Sequence, residues 1–132
     1  RKADNPPCMT AQFVIGTAQA CRDRSARLTY EGTRVVAAAD KWQACYSFEG
    51  DELKIYLECD DGVYNLPLVC DREQKVIVSE DKRVLEIDGG VTVISDVPIV
   101  VDPDRRVFHQ IGGLAYLPVE IPVSGRVTVI IK

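Results

Sequence analysis

Nucleophilic catalysis in this chain would depend on its five cysteines and its one histidine, His109. A cysteine or serine nucleophile needs a base, and such partners meet in space rather than in sequence. His109 follows Phe108 in a segment that has the pattern of a β-strand. No GxSxG motif marks a hydrolase elbow, and no cysteine is marked as activated. We therefore expect a structural histidine and no catalytic residue.

Paired carboxylates are the second group that could do chemistry. Asp60 and Asp61 are adjacent, and Asp102 and Asp104 are close together further along the chain. Two such carboxylates could hydrolyse a glycosidic bond. All four fall in predicted turns, where aspartate bonds the backbone and faces water. A small hydrolase is therefore an alternative function, and contact with a partner is the better expectation for these residues.

Metal and cofactor sites are not expected. The acidic stretch 96–106 could offer oxygens to calcium, but it lacks the acidic spacing and the glycine of an EF-hand loop. The chain has no CxxC, and its closest cysteines, Cys59 and Cys70, are 11 positions apart. A structural zinc site usually has a closer pair of ligands. No glycine-rich loop leads into a helix to bind phosphate.

The cysteine count favours disulfide bonds, and therefore an oxidising compartment. The alternative is a set of buried free thiols in a cytosolic protein, because cysteine packs well in cores. An odd number of cysteines leaves one thiol free or bonded to another chain. The first residues, RKADNPPC, contain no apolar segment, and they could be a mature N-terminus. We expect a secreted or periplasmic protein.

The predicted hairpins restrict which cysteines can pair. If residues 61–62 form a two-residue turn, Cys59 lies beside that turn and Cys70 lies at the far end, about 20 Å away. Cys45 would be separated from Cys70 by one strand, about 9–10 Å, and a disulfide needs Cα atoms within about 7 Å. Partners for these cysteines should then come from the N-terminal segment. The disulfide candidates are Cys8, Cys21, Cys45 and Cys70.

Length, charge and hydropathy exclude several classes of function. A chain of 132 residues is typical of one domain, here residues 1–132. Its net charge is −4 and it has no basic run, so we expect no nucleic-acid partner. No apolar run approaches the roughly 20 residues that span a bilayer, so we expect no membrane insertion.

Alternating hydrophobicity predicts β-strands along most of the chain. In ELKIYLEC (52–59), Leu53, Ile55 and Leu57 alternate with polar residues. Pro67 cannot donate to a ladder, so its strand should be at an edge or interrupted. We predict an all-β domain, an antiparallel β-sandwich or distorted barrel of about ten short strands. The predicted strands span 26–30, 33–39, 42–48, 52–59, 63–70, 74–79, 83–87, 91–95, 98–102, 106–111, 114–121 and 126–132.

One short helix is predicted near the N-terminus, within residues 10–24. Phe13, Thr17 and Cys21 recur there at helical spacing. Gly16 and the β-branched Val14 weaken this prediction.

Two stretches of the chain resemble each other, DKRVLEIDGG (81–90) and DRRVFHQIGG (104–113). Each has an acidic and basic turn, a strand and a Gly-Gly turn. Two copies fall short of the three that a stacked repeat usually needs. We interpret the resemblance as similar turn residues in two similar hairpins.

The absence of a chemical site favours a function in binding. We expect a non-enzymatic protein-binding module, monomeric or weakly homo-oligomeric, whose strand edges or loops recognise another protein. A concrete version is an exported inhibitor or immunity-type protein that blocks a partner's cleft. An alternative is a structural or assembly domain of a surface, appendage or virion component. The partner-binding candidates are Asp60, Asp61, Asp102, Asp104, His109 and Tyr116.

Overall fold

The structure of the protein is a computed structural model that describes residues 11–16, 18–19, 23–108 and 113–132. Within these residues the chain forms twelve β-strands and no helix. The strands are β1 (Gln12–Ile15), β2 (Ala18–Gln19), β3 (Arg27–Glu31), β4 (Arg34–Ala38), β5 (Trp42–Glu49), β6 (Glu52–Val69), β7 (Val76–Val78), β8 (Val84–Ile87), β9 (Thr92–Ser95), β10 (Val100–Val101), β11 (Val107–Phe108) and β12 (Ala115–Ile131).

The strands belong to one antiparallel sheet in the order β3-β4-β5-β6-β12-β9-β8-β7. Strand β1 also pairs with β6, while β10 and β11 pair with β12. The two ends of this path, β3 and β7, do not pair with each other, so the sheet is not closed into a barrel. The predicted all-β, antiparallel class is therefore confirmed.

Two long strands, β6 and β12, connect the layers of the fold. They pair over almost their whole length, from Leu53–Ile131 to Val69–Tyr116. The first half of β6 has β5 on its other edge, and the second half has β1 there. Phe13 of β1 stacks near Trp42 of β5, with ring centroids 5.7 Å apart. The two halves of the sheet therefore face each other across one core, as in a sandwich.

The core is formed by alternate residues of the long strands and of their neighbours. Burial of each such apolar side chain contributes about 1.5–3 kcal/mol relative to exposure. The largest fully buried side chains include Phe13, Ile55, Leu57, Tyr64, Leu85, Val93, Leu117, Val119, Ile121, Val123 and Val129.

No helix in the described part of the chain is long and apolar enough to cross a membrane.

The predicted turn at residues 61–62 is wrong, because β6 continues through it. Between its flanking pairs with β12, β6 has two residues, Asp60 and Asp61, opposite the single residue Ser124. This two-to-one arrangement is a β-bulge, which bends a strand without ending it. Both aspartates are exposed there, so the bulge satisfies the same preference for water that predicted a turn.

The bulge also changes which residues of β6 are buried. Before it, odd-numbered residues such as Ile55 and Leu57 are buried, and after it even-numbered residues such as Tyr64 and Leu66 are buried. In β12 the buried positions stay odd-numbered throughout, so the extra residue lies in β6. The predicted strands 114–121 and 126–132 are likewise one strand, β12, rather than two.

Pro67 does not interrupt its strand. It pairs with Pro118 of β12. The amide of Cys70 donates to the carbonyl of Ala115 at 2.9 Å, so after the bulge the even-numbered residues of β6 bond to β12 and the odd-numbered residues point to the opposite edge. On that edge β1 reaches only as far as Asn65. Among the described residues, no strand pairs with this edge of β6 at Pro67, and the missing N–H of Pro67 leaves none of their acceptors unpaired.

The predicted helix within residues 10–24 is wrong wherever that segment is described. Residues 12–15 form β1, which pairs with β6, and Phe13 is buried. Gly16 has a φ of +61° and ends β1 in a turn. The β-branched Val14 and Ile15 fit a strand better than a helix, and pairing with β6 outweighs the helical spacing.

The two similar stretches both lead into hairpins, as predicted. Strand β8 pairs with β9, and β11 pairs with β12. Their turns nevertheless differ. Asp81 accepts from the amide of Arg83, whereas the corresponding Asp104 donates its own amide to the carboxylate of Asp102. The resemblance therefore reflects shared turn residues rather than identical turns.

Candidate functional site

Three of the five cysteines lie within the described residues, and all three are buried free thiols: Cys45, Cys59 and Cys70. The predicted bonds from Cys45 or Cys70 to the N-terminal segment are therefore absent. Instead, the Sγ of Cys45 accepts a hydrogen bond from Arg34 at 2.9 Å. Cys59 and Cys70 are unbonded, as expected, but because Cys59 lies within β6 and Cys70 directly follows its end, so the two are not on a hairpin.

Burial raises the pKa of the Cys59 thiol, and this effect outweighs a backbone hydrogen bond at Asp61 that lowers it; the charges of Asp60 and Asp61 also raise it. A protonated, buried thiol is a poor nucleophile. The remaining disulfide candidates, Cys8 and Cys21, lie outside the described residues.

The partner-binding candidates lie on separate elements. Asp60 and Asp61 are exposed in the β6 bulge, and Asp102 and Asp104 are exposed in the loop between β10 and β11. Tyr116 is half-buried in β12, where it pairs with β6 and β11. His109 lies outside the described residues, so its role remains a prediction. Within the described ranges, no group of three or more His, Cys, Asp or Glu could hold a metal ion.

The most distinctive surface is the free edge of β3, which sequence reasoning missed. The amide of Ala39 donates to the carbonyl of Trp42 at 2.9 Å, so odd-numbered residues at this end of β4 bond to β5. Even-numbered residues of β4 then bond to β3, because backbone groups alternate in direction along an antiparallel strand. The N–H and C=O of Leu28 and Tyr30 therefore point away from β4. The β3 residues paired with those even-numbered positions are Arg27, Thr29 and Glu31.

No strand among the described residues pairs with this outward edge of β3. Two N–H and two C=O groups thus form an open row, which is the arrangement that another extended chain can join. All five residues of β3 are exposed. We refer to these outward backbone groups of Leu28 and Tyr30 as the open edge.

An apolar patch accompanies the open edge. Leu28, Tyr30 and Phe48 are 63%, 72% and 62% exposed. Directly paired residues share a face of the sheet, and Tyr30 is in the same row as Val35, Tyr46 and the buried Ile55. On this face of the sheet, the exposure of the side chains therefore increases from β6 to β3. We refer to Leu28, Tyr30 and Phe48 as the edge patch.

The segment before β3 is held in place by one carboxylate. Asp23 accepts from the amide and hydroxyl of Ser25, at 2.9 and 2.6 Å, and from the indole N–H of Trp42 at 3.0 Å. These hydrogen bonds, first those from Ser25, hold the pKa of Asp23 below its usual value. The Ser25 hydroxyl in turn accepts from the amide of Asp40 in the β4–β5 turn. The start of β3 is thus tied to the core through Trp42.

The opposite face of β3 is polar. Arg27, Thr29 and Glu31 lie there, beside a shallow groove of about 340 Å³ lined by Arg34, Ser47, Glu49 and Tyr56. Glu49 forms an ion pair with Lys54 at 3.2 Å, and this contact lowers the pKa of Glu49. The groove is lined by one cation, Arg34, and one anion, Glu49, with no activated nucleophile beside a base. It can bind polar groups, and it offers no arrangement for acyl or glycosyl transfer.

A signal for the open edge was present in the sequence. The RLTYE of β3 alternates Leu28 and Tyr30 with Arg27, Thr29 and Glu31, which predicts one apolar face. Alternation does not say whether that face is covered, because this depends on where the sheet ends.

Comparison of the chain with protein-family models, with curated proteins and with solved structures finds no match.

Proposed function

We propose that this protein is a non-enzymatic protein-binding module that takes an extended segment of a partner alongside β3. The observation that carries this proposal is the open edge together with the edge patch. Main-chain hydrogen bonds to an exposed strand supply affinity, and alternate side chains on one face supply specificity. The expected partner segment is therefore extended, with apolar residues at alternate positions.

The exposed side chains support the same function. Contiguous exposed apolar surface is uncommon on monomeric proteins and marks interaction sites. Tyrosine and other aromatic residues are enriched at such interfaces, and Tyr30 and Phe48 are the most exposed aromatic residues in the described part of the chain. An exported inhibitor or immunity-type protein is the narrower form of this proposal.

The edge of β3 is a better candidate than the other end of the sheet. Strand β7 has three residues, with Ile77 exposed, whereas β3 has five residues with two outward pairs of backbone groups. Short edge strands are a common way to avoid unwanted pairing. Ile77 therefore provides a matched control residue.

Display of random dodecapeptides tests the proposal. Peptides selected on the immobilised protein should alternate apolar and polar residues. Their binding, measured by calorimetry, should weaken about tenfold or more with Tyr30→Lys, which places a charge on the contact face. The control Ile77→Lys should bind as the unmodified protein does. Equal binding to Tyr30→Lys, or selection of peptides without alternation, would contradict the proposal.

A structural or assembly domain is a second candidate, favoured by the charges along β3. Arg27 and Glu31 stand at opposite ends of this exposed strand. Strands that carry opposite charges at their two ends can pair with copies of themselves when they run antiparallel.

A further inference from the structure

The sequence of β3 is complementary to itself. If two copies of Arg27–Glu31 lie antiparallel with Thr29 opposite Thr29, then Arg27 of each copy lies opposite Glu31 of the other. In the same register, Leu28 lies opposite Tyr30 twice. Opposite charges and an aromatic-aliphatic pair directly across two strands both stabilise pairing.

The backbone directions agree with this register. The N–H and C=O of Leu28 and Tyr30 point out of the sheet, as the β4–β5 hydrogen bonds require. In the register centred on Thr29, Leu28 of one copy and Tyr30 of the other form hydrogen-bonded pairs. Four hydrogen bonds would then pair the outward N–H and C=O groups of Leu28 and Tyr30 in both copies. A register shift by one residue would place apolar side chains opposite charged ones, and Thr29 would no longer lie opposite Thr29.

We infer that the partner segment at the open edge is β3 of a second copy of this chain, in a two-fold dimer. This inference rests on the proposed function and names its partner. A two-fold axis through the centre of the strand pair makes the contact isologous, with the same residues used by both copies. It also places the two edge patches on the same side of the joined sheet.

Association through one five-residue edge should be weak. Stable complexes bury about 1,600 Å² in total, and a single strand pair covers much less. The net charge of −4 on each copy also opposes association, although Arg27 and Glu31 offset this locally. The dimer is therefore expected only in concentrated protein.

Charge reversal tests both the partner and the register. Arg27→Glu leaves β3 with a glutamate at each end, and Glu31→Arg leaves it with an arginine at each end. Each variant alone should dimerise about tenfold or more weakly in sedimentation equilibrium, because two attractive pairs become repulsive. An equimolar mixture of the two variants should regain dimerisation, because both charged cross-strand pairs of the mixed dimer then join opposite charges.

Matched controls keep the net charge changes the same. Arg105 is exposed in the loop between β10 and β11, and Glu86 is exposed in β8, near the other end of the sheet from β3. Arg105→Glu and Glu86→Arg should therefore leave the dimer unchanged. Circular dichroism should confirm that every variant is folded.

A protein that stays monomeric when concentrated would overturn the inference. Single variants that dimerise as strongly as the unmodified protein, or a mixture that does not regain dimerisation, would also overturn it. Peptide binding at β3 is measured separately. If the protein does not dimerise but still binds peptides at β3, this inference is contradicted and the proposed function is not.

Discussion

At the scale of single residues, a few polar contacts connect the elements around the open edge. Asp23 ties the start of β3 to Trp42, and the hydroxyls of Tyr46 and Tyr64 hydrogen-bond to each other between the two layers. Neither contact follows from local sequence, because each joins residues 18 or 19 positions apart. The types of these residues could be read from the sequence, but their pairing depends on the fold.

Replacing Asp23 with Asn should lower the melting temperature at neutral pH, because the carboxylate accepts from both Ser25 and Trp42. Its pKa is below the usual 3.8, so this contribution is present above about pH 4 and is lost as pH falls through the lower, folded-state pKa. Melting curves across pH should therefore show the difference from the unmodified protein shrinking in acid. Asp51→Asn, in the exposed β5–β6 turn, is the control. A difference that persists unchanged at low pH would contradict this role.

Tyr46→Phe should destabilise the protein by about 1–2 kcal/mol, because the buried hydroxyl of Tyr64 loses a partner. Burial also raises the pKa of Tyr46, which is consistent with a hydroxyl held away from water. Chemical denaturation measures the change in the free energy of unfolding. Tyr30→Phe, at an exposed position, should leave that free energy unchanged. An equal effect of both substitutions would show that the buried pair is not stabilising.

At the scale of elements, alternation predicted where strands occur, and pairing decided where they end. The DDG of residues 60–62 has the composition of a turn. Continuous pairing with β12, more than 60 positions away, makes it a bulge instead. The switch from odd to even apolar positions, from Leu57 to Tyr64, is visible in the sequence, but a two-residue turn between two strands produces the same switch, as from Tyr30 to Val35. The continuous pairing with β12 is what distinguishes the bulge from a turn.

Gly62→Ala should destabilise the fold by about 1–3 kcal/mol, because an added methyl group overpacks the bulge. A Cβ there would lie 2.9 Å from the Sγ of Cys59 and 3.3 Å from Cγ1 of Ile15. The double variant Cys59→Ala with Gly62→Ala should lose less than the sum of the two single changes, as measured by urea denaturation. Asp61→Ala is the exposed control in the same bulge. Strict additivity would contradict the close contact.

Arg106 joins two loops at one end of the sandwich. Its guanidinium donates to the carbonyls of Asp71, Gln74 and Pro103, at 3.0, 2.9 and 2.8 Å. Lysine cannot reproduce this planar fork, so Arg106→Lys should cost about 1–2 kcal/mol in the free energy of unfolding. Arg105→Lys, an exposed neighbour, should cost nothing in the same denaturation experiment. Equal stability of both variants would mean that the fork contributes nothing.

At the scale of the whole molecule, the sheet formed by the described residues ends at β3, whose five residues have no neighbour on their outer side. The class of the fold could be predicted because periodic apolar residues recur in most segments of the chain. The open edge could not be located in the same way, since Leu28 and Ile55 have the same alternation and differ only in whether another layer covers them. Their exposed fractions, 63% and 1%, are set by sheet order.

The open edge makes a prediction for four of the five amides of β3. Thr29 and Glu31 donate toward β4, whereas Leu28 and Tyr30 donate outward. Amide hydrogen exchange, followed by NMR in dilute and in concentrated protein, reads these positions individually. In dilute protein, the amides of Leu28 and Tyr30 should exchange fast and those of Thr29 and Glu31 slowly. In concentrated protein, all four should exchange slowly. Amides of Leu28 and Tyr30 that are already slow in dilute protein, or that stay fast when it is concentrated, would contradict the account.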